Sequence, residues 1–136
     1  MHLRFVHIST IVILGAMGML NQGLSAADAS DPAGTWRGES LCGAGLSGCH
    51  DERVVYYIKH VPDRPDRVMI QADKMINGEP ITMRTGEWQY DPAAGSLEWR
   101  MPQHVWLLKI TGSRMAGTLK HTDGTILRNM TLEKDR

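Results

Sequence analysis

From residue 34 to residue 132 the chain alternates between short runs of interleaved apolar and polar residues and short segments rich in glycine, proline, aspartate and asparagine. Side chains point to opposite faces along a β-strand, so this alternation predicts strands rather than helices. Val54, Tyr56 and Ile58, for example, share one face of the second run. The predicted strands are 34–42, 52–61, 67–76, 81–90, 96–101, 104–111, 114–121 and 125–132.

The segments between these runs carry turn residues. Asp123-Gly124 lies between two threonines and predicts a type I′ hairpin, and Gly86 inside the fourth run predicts a β-bulge. Such short connections make consecutive strands neighbours, and a meander closed into a barrel has no exposed edge. We therefore predict an all-β, up-and-down barrel of about eight antiparallel strands. A two-sheet β-sandwich is the alternative.

The first 27 residues have the pattern of a secretory signal peptide. Arg4 precedes the apolar run 8–20, whose 13 residues are too few to span a bilayer. The small residues of Ser25-Ala26-Ala27 predict cleavage before Asp28, and a second site lies two residues further on. We expect a periplasmic or secreted protein with no membrane span after cleavage. Residues 28–33 then form a short polar leader and 34–136 a single domain. An uncleaved membrane anchor is the alternative.

Charge and length restrict the partners. Removing residues 1–27 from the chain of 136 leaves 109, which suits one domain. Arg4 is the only charged residue removed, so 14 of the 15 Lys+Arg remain against 15 Asp+Glu. Binding to nucleic acid requires a basic excess, so no nucleic-acid partner is expected. We expect a monomer whose partner is a small molecule or a periplasmic protein.

Cys42 and Cys49 are the only two cysteines of the chain. Two cysteines in an exported domain usually pair, and the glycine-rich segment 43–48 can turn back to join them. A metal or redox site would favour a two-residue spacing or further ligands in register, so we predict a structural disulfide, no metal and no cofactor.

Gly34-Thr35-Trp36 at the start of the first strand resembles the Gly-x-Trp element that opens lipocalin-type barrels. In that family an arginine from the last strand packs over the tryptophan and closes one end of the barrel. The resemblance implies that Arg128 in the last run forms this pair with Trp36. The strand count and the length are similar to those of small lipocalin-like barrels exported by bacteria, including proteins of unassigned function and inhibitors of proteases and lysozyme.

Motifs of catalysis are missing from the sequence: it has no nucleophile elbow, no His-Glu-x-x-His and no phosphate-binding loop. We therefore expect no enzymatic activity. The aromatic residues suggest binding of a small apolar or amphipathic ligand inside the barrel, although the same side chains could simply form the core. This hypothesis requires an interior cavity of at least about 300 Å³. The candidate ligand-binding residues are Tyr56, Trp88, Trp99 and Trp106.

A periplasmic protein-binding module, such as a hydrolase inhibitor, is the alternative function. It would need an apolar side chain on an exposed loop, and Leu46 between the two cysteines is the candidate. A purely structural role in the cell envelope is a third hypothesis.

Overall fold

The computed structural model describes residues 31–136, so the predicted signal peptide lies outside the described residues. Every strand pairs antiparallel with the next, and the last strand pairs with the first to close a barrel. This confirms the predicted eight-stranded meander and excludes the sandwich. The strands are β1 (Gly34–Cys42), β2 (Glu52–Val61), β3 (Arg64–Ile76), β4 (Glu79–Asp91), β5 (Ser96–Arg100), β6 (His104–Thr111), β7 (Arg114–His121) and β8 (Ile126–Lys134).

The hairpin with type I′ geometry joins β3 to β4, not β7 to β8. Asn77 and Gly78 have φ values of 51° and 81°, and the positive φ at both positions is what a type I′ turn requires. The type I′ prediction for Asp123-Gly124 is wrong, because only Gly124 there has a positive φ, 94°. The Asp123 carboxylate accepts a hydrogen bond from the Thr125 amide at 2.8 Å, which favours a wider turn.

The β-bulge of β4 lies three residues before the predicted position. The register shifts between Ala72 and Asp73 of β3, where Met83 is the extra residue on β4. Gly86 pairs regularly with Ile70, so the predicted bulge at Gly86 is wrong. A Cβ at Gly86 would lie 3.1 Å from the ring of Trp99. The glycine is therefore needed for close packing rather than for a bend.

Consecutive hairpins lie at alternate ends of the barrel. The connections β1–β2, β3–β4, β5–β6 and β7–β8 share one end, which we name the Arg84 end. The other three connections lie at the opposite end, named the Trp36 end, together with the start of β1 and the end of β8. Inward-facing side chains of all eight strands fill the space between the ends, among them Val54, Tyr56, Ile70, Leu97, Leu108, Met115 and Leu132.

The wall between β4 and β5 is the least completely paired part of the barrel. Only three residue pairs join these strands, from Gln89 to Asp91 on β4. The first ten residues of β4, 79–88, therefore pair with β3 but have no strand partner on the β5 side. Side chains rather than backbone hydrogen bonds close the barrel here, and Trp99 over Gly86 is one of them.

The Trp36 end is closed by the residues just before β1. Trp36 is fully buried, and its indole N–H donates to the Pro32 carbonyl at 2.9 Å. Pro32 is itself fully buried. The Lys134 ammonium lies 5.6 Å from the Trp36 ring centroid and donates to the Asp31 carbonyl at 2.7 Å. The described part of the predicted polar leader, residues 31–33, thus packs across this end of the barrel.

The predicted pairing of Arg128 with Trp36 is wrong. Strand β8 runs antiparallel to β1, which places Lys134 opposite Trp36 and Arg128 opposite Cys42. Six residues along a strand separate the two cations by about 20 Å. Arg128 therefore lies at the Arg84 end, where its guanidinium donates to the carbonyls of Ser40 at 3.2 Å and His50 at 2.8 Å.

The predicted disulfide is confirmed: Cys42 and Cys49 are bonded, with their Cα atoms 6.0 Å apart. It fastens the β1–β2 connection at the Arg84 end. Asp51 adds a second tie, since its carboxylate accepts a hydrogen bond from the Cys42 amide at 2.8 Å. A search of residues 31–136 finds no helix long and apolar enough to cross a membrane.

Candidate functional site

An apolar cavity lies inside the barrel at the Arg84 end. Its volume is about 160 Å³, close to half of the 300 Å³ that the ligand hypothesis required. The expectation of such a cavity is therefore wrong, and only a ligand smaller than the one it assumed fits this space. The lining residues come from five of the eight strands and are mostly aromatic or aliphatic: Tyr56, Ile70, Ala72, Met83, Arg84, Trp88, Trp99 and Trp106. We refer to this space as the tryptophan cavity.

The four residues predicted to bind a ligand all line this one cavity. Strand alternation brings them together because each is on the inward face of its strand. Sequence reasoning missed Ile70, Ala72, Met83 and Arg84. The first two share the inward face that alternation assigns to β3. Arg84 is in the same alternation phase as the inward-facing Trp88, but the predicted bulge at Gly86 would have turned it outward.

Three tryptophans form one cluster against the cavity. Trp99 and Trp106 are directly opposite each other on β5 and β6, with ring centroids 5.8 Å apart. The Trp88 ring lies 5.6 Å from each of them. Trp88 is buried within the core, whereas Trp99 and Trp106 are only partly buried and pack against it. The cluster is thus both one end of the core and the wall of a cavity, so the two interpretations of these residues are not exclusive.

Tyr56 contributes an uncharged surface to the cavity. It is 2 % exposed, and its hydroxyl lies 3.3 Å from the Met130 sulfur. Burial raises the pKa of the Tyr56 phenol well above its usual range. The hydroxyl therefore stays protonated and can donate a hydrogen bond at any physiological pH.

Arg84 lies at the cavity mouth and is exposed to solvent. Its guanidinium lies 4.8 Å from the Trp99 ring centroid and 5.7 Å from that of Trp106, which are cation–π distances. Its side chain also contacts the Met101 sulfur. Arg84 forms no ion pair with any carboxylate of residues 31–136.

A second group of charges lies nearby at the same end. Glu52 stands 3.6 Å from the Lys74 ammonium and 3.6 Å from the Arg128 guanidinium. All three side chains are largely buried, with exposed fractions between 20 % and 32 %. Two cations thus share one carboxylate. Arg84, by contrast, is the one charged side chain that lines the cavity itself.

Other hollows are larger but differ in chemistry. One of about 400 Å³ lies beside β4 and β5 and is lined by polar residues that include Asp66, Asp91 and Glu98. It lacks the apolar lining of a small-molecule site, so volume alone does not make it the better candidate. Within residues 31–136 no group of three His, Cys, Asp or Glu side chains is placed to hold a metal ion.

Leu46, predicted to contact a protein partner, is only partly exposed within the disulfide-bonded loop. Apolar side chains that are more exposed lie elsewhere, including Ile76, Ile81 and Met83 around the β3–β4 hairpin. Exposure therefore does not single out Leu46 as the apolar tip of the molecule.

No protein-family model matches the chain, and neither does any curated protein. Among solved structures, the chain is similar to the zebrafish ileal bile acid-binding protein complexed with cholic acid, with a TM-score of 0.43 and 16 % sequence identity. The alignment covers 76 % of this chain and 98 % of that chain. The strand pairing of the present chain establishes its barrel, and its own side chains are the basis for inferring ligand chemistry.

Proposed function

We propose that this barrel is a non-enzymatic binding protein whose small apolar or amphipathic ligand occupies the tryptophan cavity. The observation that carries the proposal is the convergence of Tyr56 and three tryptophans on one interior space. Binding sites for small molecules are concave and mostly apolar, with few polar groups to orient the ligand. This cavity has that composition, with Arg84 as its one charged lining residue.

The volume sets the size of the ligand. A protein cavity of roughly 150 Å³ lined by apolar side chains holds one benzene ring. The tryptophan cavity, at about 160 Å³, therefore suits a single ring or a short branched chain. A long acyl chain or a fused ring system would require the core to open.

A ligand can enter the cavity when side chains at its mouth move, without any separation of paired strands. Met83 is 41 % exposed and Arg84 is also exposed, and both line the mouth. They belong to the part of β4 that has no strand partner on the β5 side. Rotation of these two flexible side chains is faster than any opening of the sheet and would admit a small ligand.

The test compares benzyl alcohol, which has one ring, with its two-ring analogue 2-naphthalenemethanol in a ligand-detected NMR titration. We expect the one-ring compound to bind with a Kd of roughly 1 mM, near −4 kcal/mol, and the two-ring compound to bind more weakly. Ala72→Leu fills the cavity and should abolish binding. Ala94→Leu, in the exposed β4–β5 turn, makes the same change away from the site and is the matched control. Binding unaffected by Ala72→Leu would refute the proposal.

We also propose that the protein acts outside the cytosol, in the periplasm or as a secreted protein. The Cys42–Cys49 disulfide supports this, because such bonds persist in oxidising compartments. Expression of the full chain in a secreting bacterial host, followed by intact-mass measurement, should give an exported product beginning at Asp28. A full-length product retained in the cytosol would contradict the proposal.

A further inference from the structure

The cavity mouth holds a cation without a carboxylate partner. Arg84 rests on the faces of Trp99 and Trp106 and is not ion-paired within residues 31–136. Arg84 is also the only charged residue that lines the cavity. An anion approaching the mouth is therefore attracted, and a cation is repelled.

Two hydrogen-bond donors of the same cluster are also unsatisfied. The indole N–H groups of Trp88 and Trp106 are buried and have no acceptor among the described residues. Buried donors are nearly always paired in folded proteins, and an unpaired one carries a desolvation penalty. Both rings line the tryptophan cavity. Because both N–H groups are buried, a ligand in the cavity contacts the rings, and Arg84 is the donor that remains for an anion at the mouth.

A guanidinium that is stacked on indole rings can bind an anion through its edge N–H groups. Its planar fork matches the two oxygens of a carboxylate, and such pairs are stronger than neutral hydrogen bonds. The stack on Trp99 keeps Arg84 oriented at the mouth while leaving its edge N–H groups available. A ligand whose ring enters the cavity would place a carboxylate attached to that ring within reach of Arg84.

We propose that the ligand is a small monocarboxylate with one ring or a short branched chain, and that Arg84 binds its carboxylate. This inference rests on the proposed function and adds the charge of the ligand. The apolar part contacts the tryptophans and Tyr56, and the carboxylate stays at the solvent-exposed mouth. Benzoate, which has one ring and one carboxylate, is the probe.

The experiment compares benzoate, benzamide and benzylamine, which have one ring each and differ in charge, by isothermal titration calorimetry at low ionic strength. We expect benzoate to bind about tenfold more tightly than benzamide, and benzylamine to bind most weakly. The benzoate preference should shrink as salt is added, because the mouth is exposed and its charge is screened. This comparison uses the unmodified mature protein and depends on no variant.

Arg84→Met should make benzoate and benzamide bind equally, and Arg84→Lys should retain part of the benzoate preference. Arg114→Met, an exposed position at the Trp36 end, is the matched control and should change nothing. Equal binding of benzoate and benzamide would overturn the anion inference and leave the proposed function standing. A preference that survives Arg84→Met would overturn the role of Arg84. Failure of all three probes to bind would overturn both proposals.

Discussion

The two ends of the barrel contain similar residue types but differ in how these pack. At the Trp36 end, a fully buried indole has its N–H bonded to Pro32 and a lysine over its ring. At the Arg84 end, two partly buried indoles carry an arginine, and a cavity remains beneath them. A tryptophan with every group satisfied closes one end of the barrel, whereas the tryptophans of the other end line the cavity that we propose as the ligand site.

Removing the indole at each end should have the most unequal effect on stability. We expect Trp36→Ala to lower the free energy of unfolding by about 3–5 kcal/mol, since it leaves a large cavity and uncovers that end of the core. Trp106→Ala should lower it less, because that ring is already partly exposed. Urea unfolding followed by far-UV circular dichroism measures both. Equal losses would remove the distinction between the ends.

Loss of the disulfide is expected to have the next largest effect. Replacing both Cys42 and Cys49 by serine frees the loop that they close, and the chain-entropy relation gives about 2.5 kcal/mol of lost stability. Reduction of the unmodified protein under the same conditions is the control and should give a similar loss. A change below 0.5 kcal/mol, roughly the error of the measurement, would show that the Asp51 contact alone holds the loop.

Gly86→Ala tests how closely the tryptophan cluster is packed. The added methyl group would lie 3.1 Å from the Trp99 ring, so the ring must shift, at a cost of about 1 kcal/mol. Binding of benzyl alcohol should weaken at the same time. The control is a double-mutant cycle with Trp99→Leu, in which the glycine substitution should cost much less. An unchanged cost in that background would show that the strain lies elsewhere.

Replacing each of the two candidate cations of β8 in turn tests which one packs over Trp36. Lys134→Met should lower stability by about 0.5–1 kcal/mol and change the fluorescence of Trp36. To isolate that fluorescence, the measurement is made with the other three tryptophans replaced by phenylalanine. Arg128→Met should leave the Trp36 signal unchanged. The reverse outcome would restore the pairing that the lipocalin resemblance implied.

The smallest expected effect is on acid stability at the Trp36 end. The hydrogen bond from the Ala33 amide to the Asp31 carboxylate lowers the pKa of Asp31 below its usual range. A lowered pKa stabilises the folded state above about pH 4 and loses that contribution as the pH falls through the folded-state value. The thermal midpoint of the unmodified protein should therefore decrease slightly between pH 5 and pH 2. In Asp31→Asn this decrease should be smaller. An identical acid profile for both proteins would contradict this.

Alternation and turn residues sufficed to predict the strands and the barrel, and the two cysteines on either side of a glycine-rich segment predicted the disulfide. They also placed Tyr56, Trp88, Trp99 and Trp106 on the inward faces that form the cavity. They did not predict Arg84 or Lys134, for a shared physical reason: inward direction depends on phase, and cross-strand contact depends on register. Because the bulge lies at Met83 and not at Gly86, Arg84 stays in phase with Trp88, and β8 continues two residues past its predicted end, to Lys134.

The central claim is that ligand binds at the Arg84 end and not at the Trp36 end. The four indole N–H groups, one at the Trp36 end and three at the cavity, can be followed individually in a ¹H–¹⁵N NMR titration with benzyl alcohol. We predict that the signals of Trp88, Trp99 and Trp106 shift together with one saturation curve, while the Trp36 signal stays in place. Four signals shifting equally, or none shifting at saturating ligand, would contradict the account.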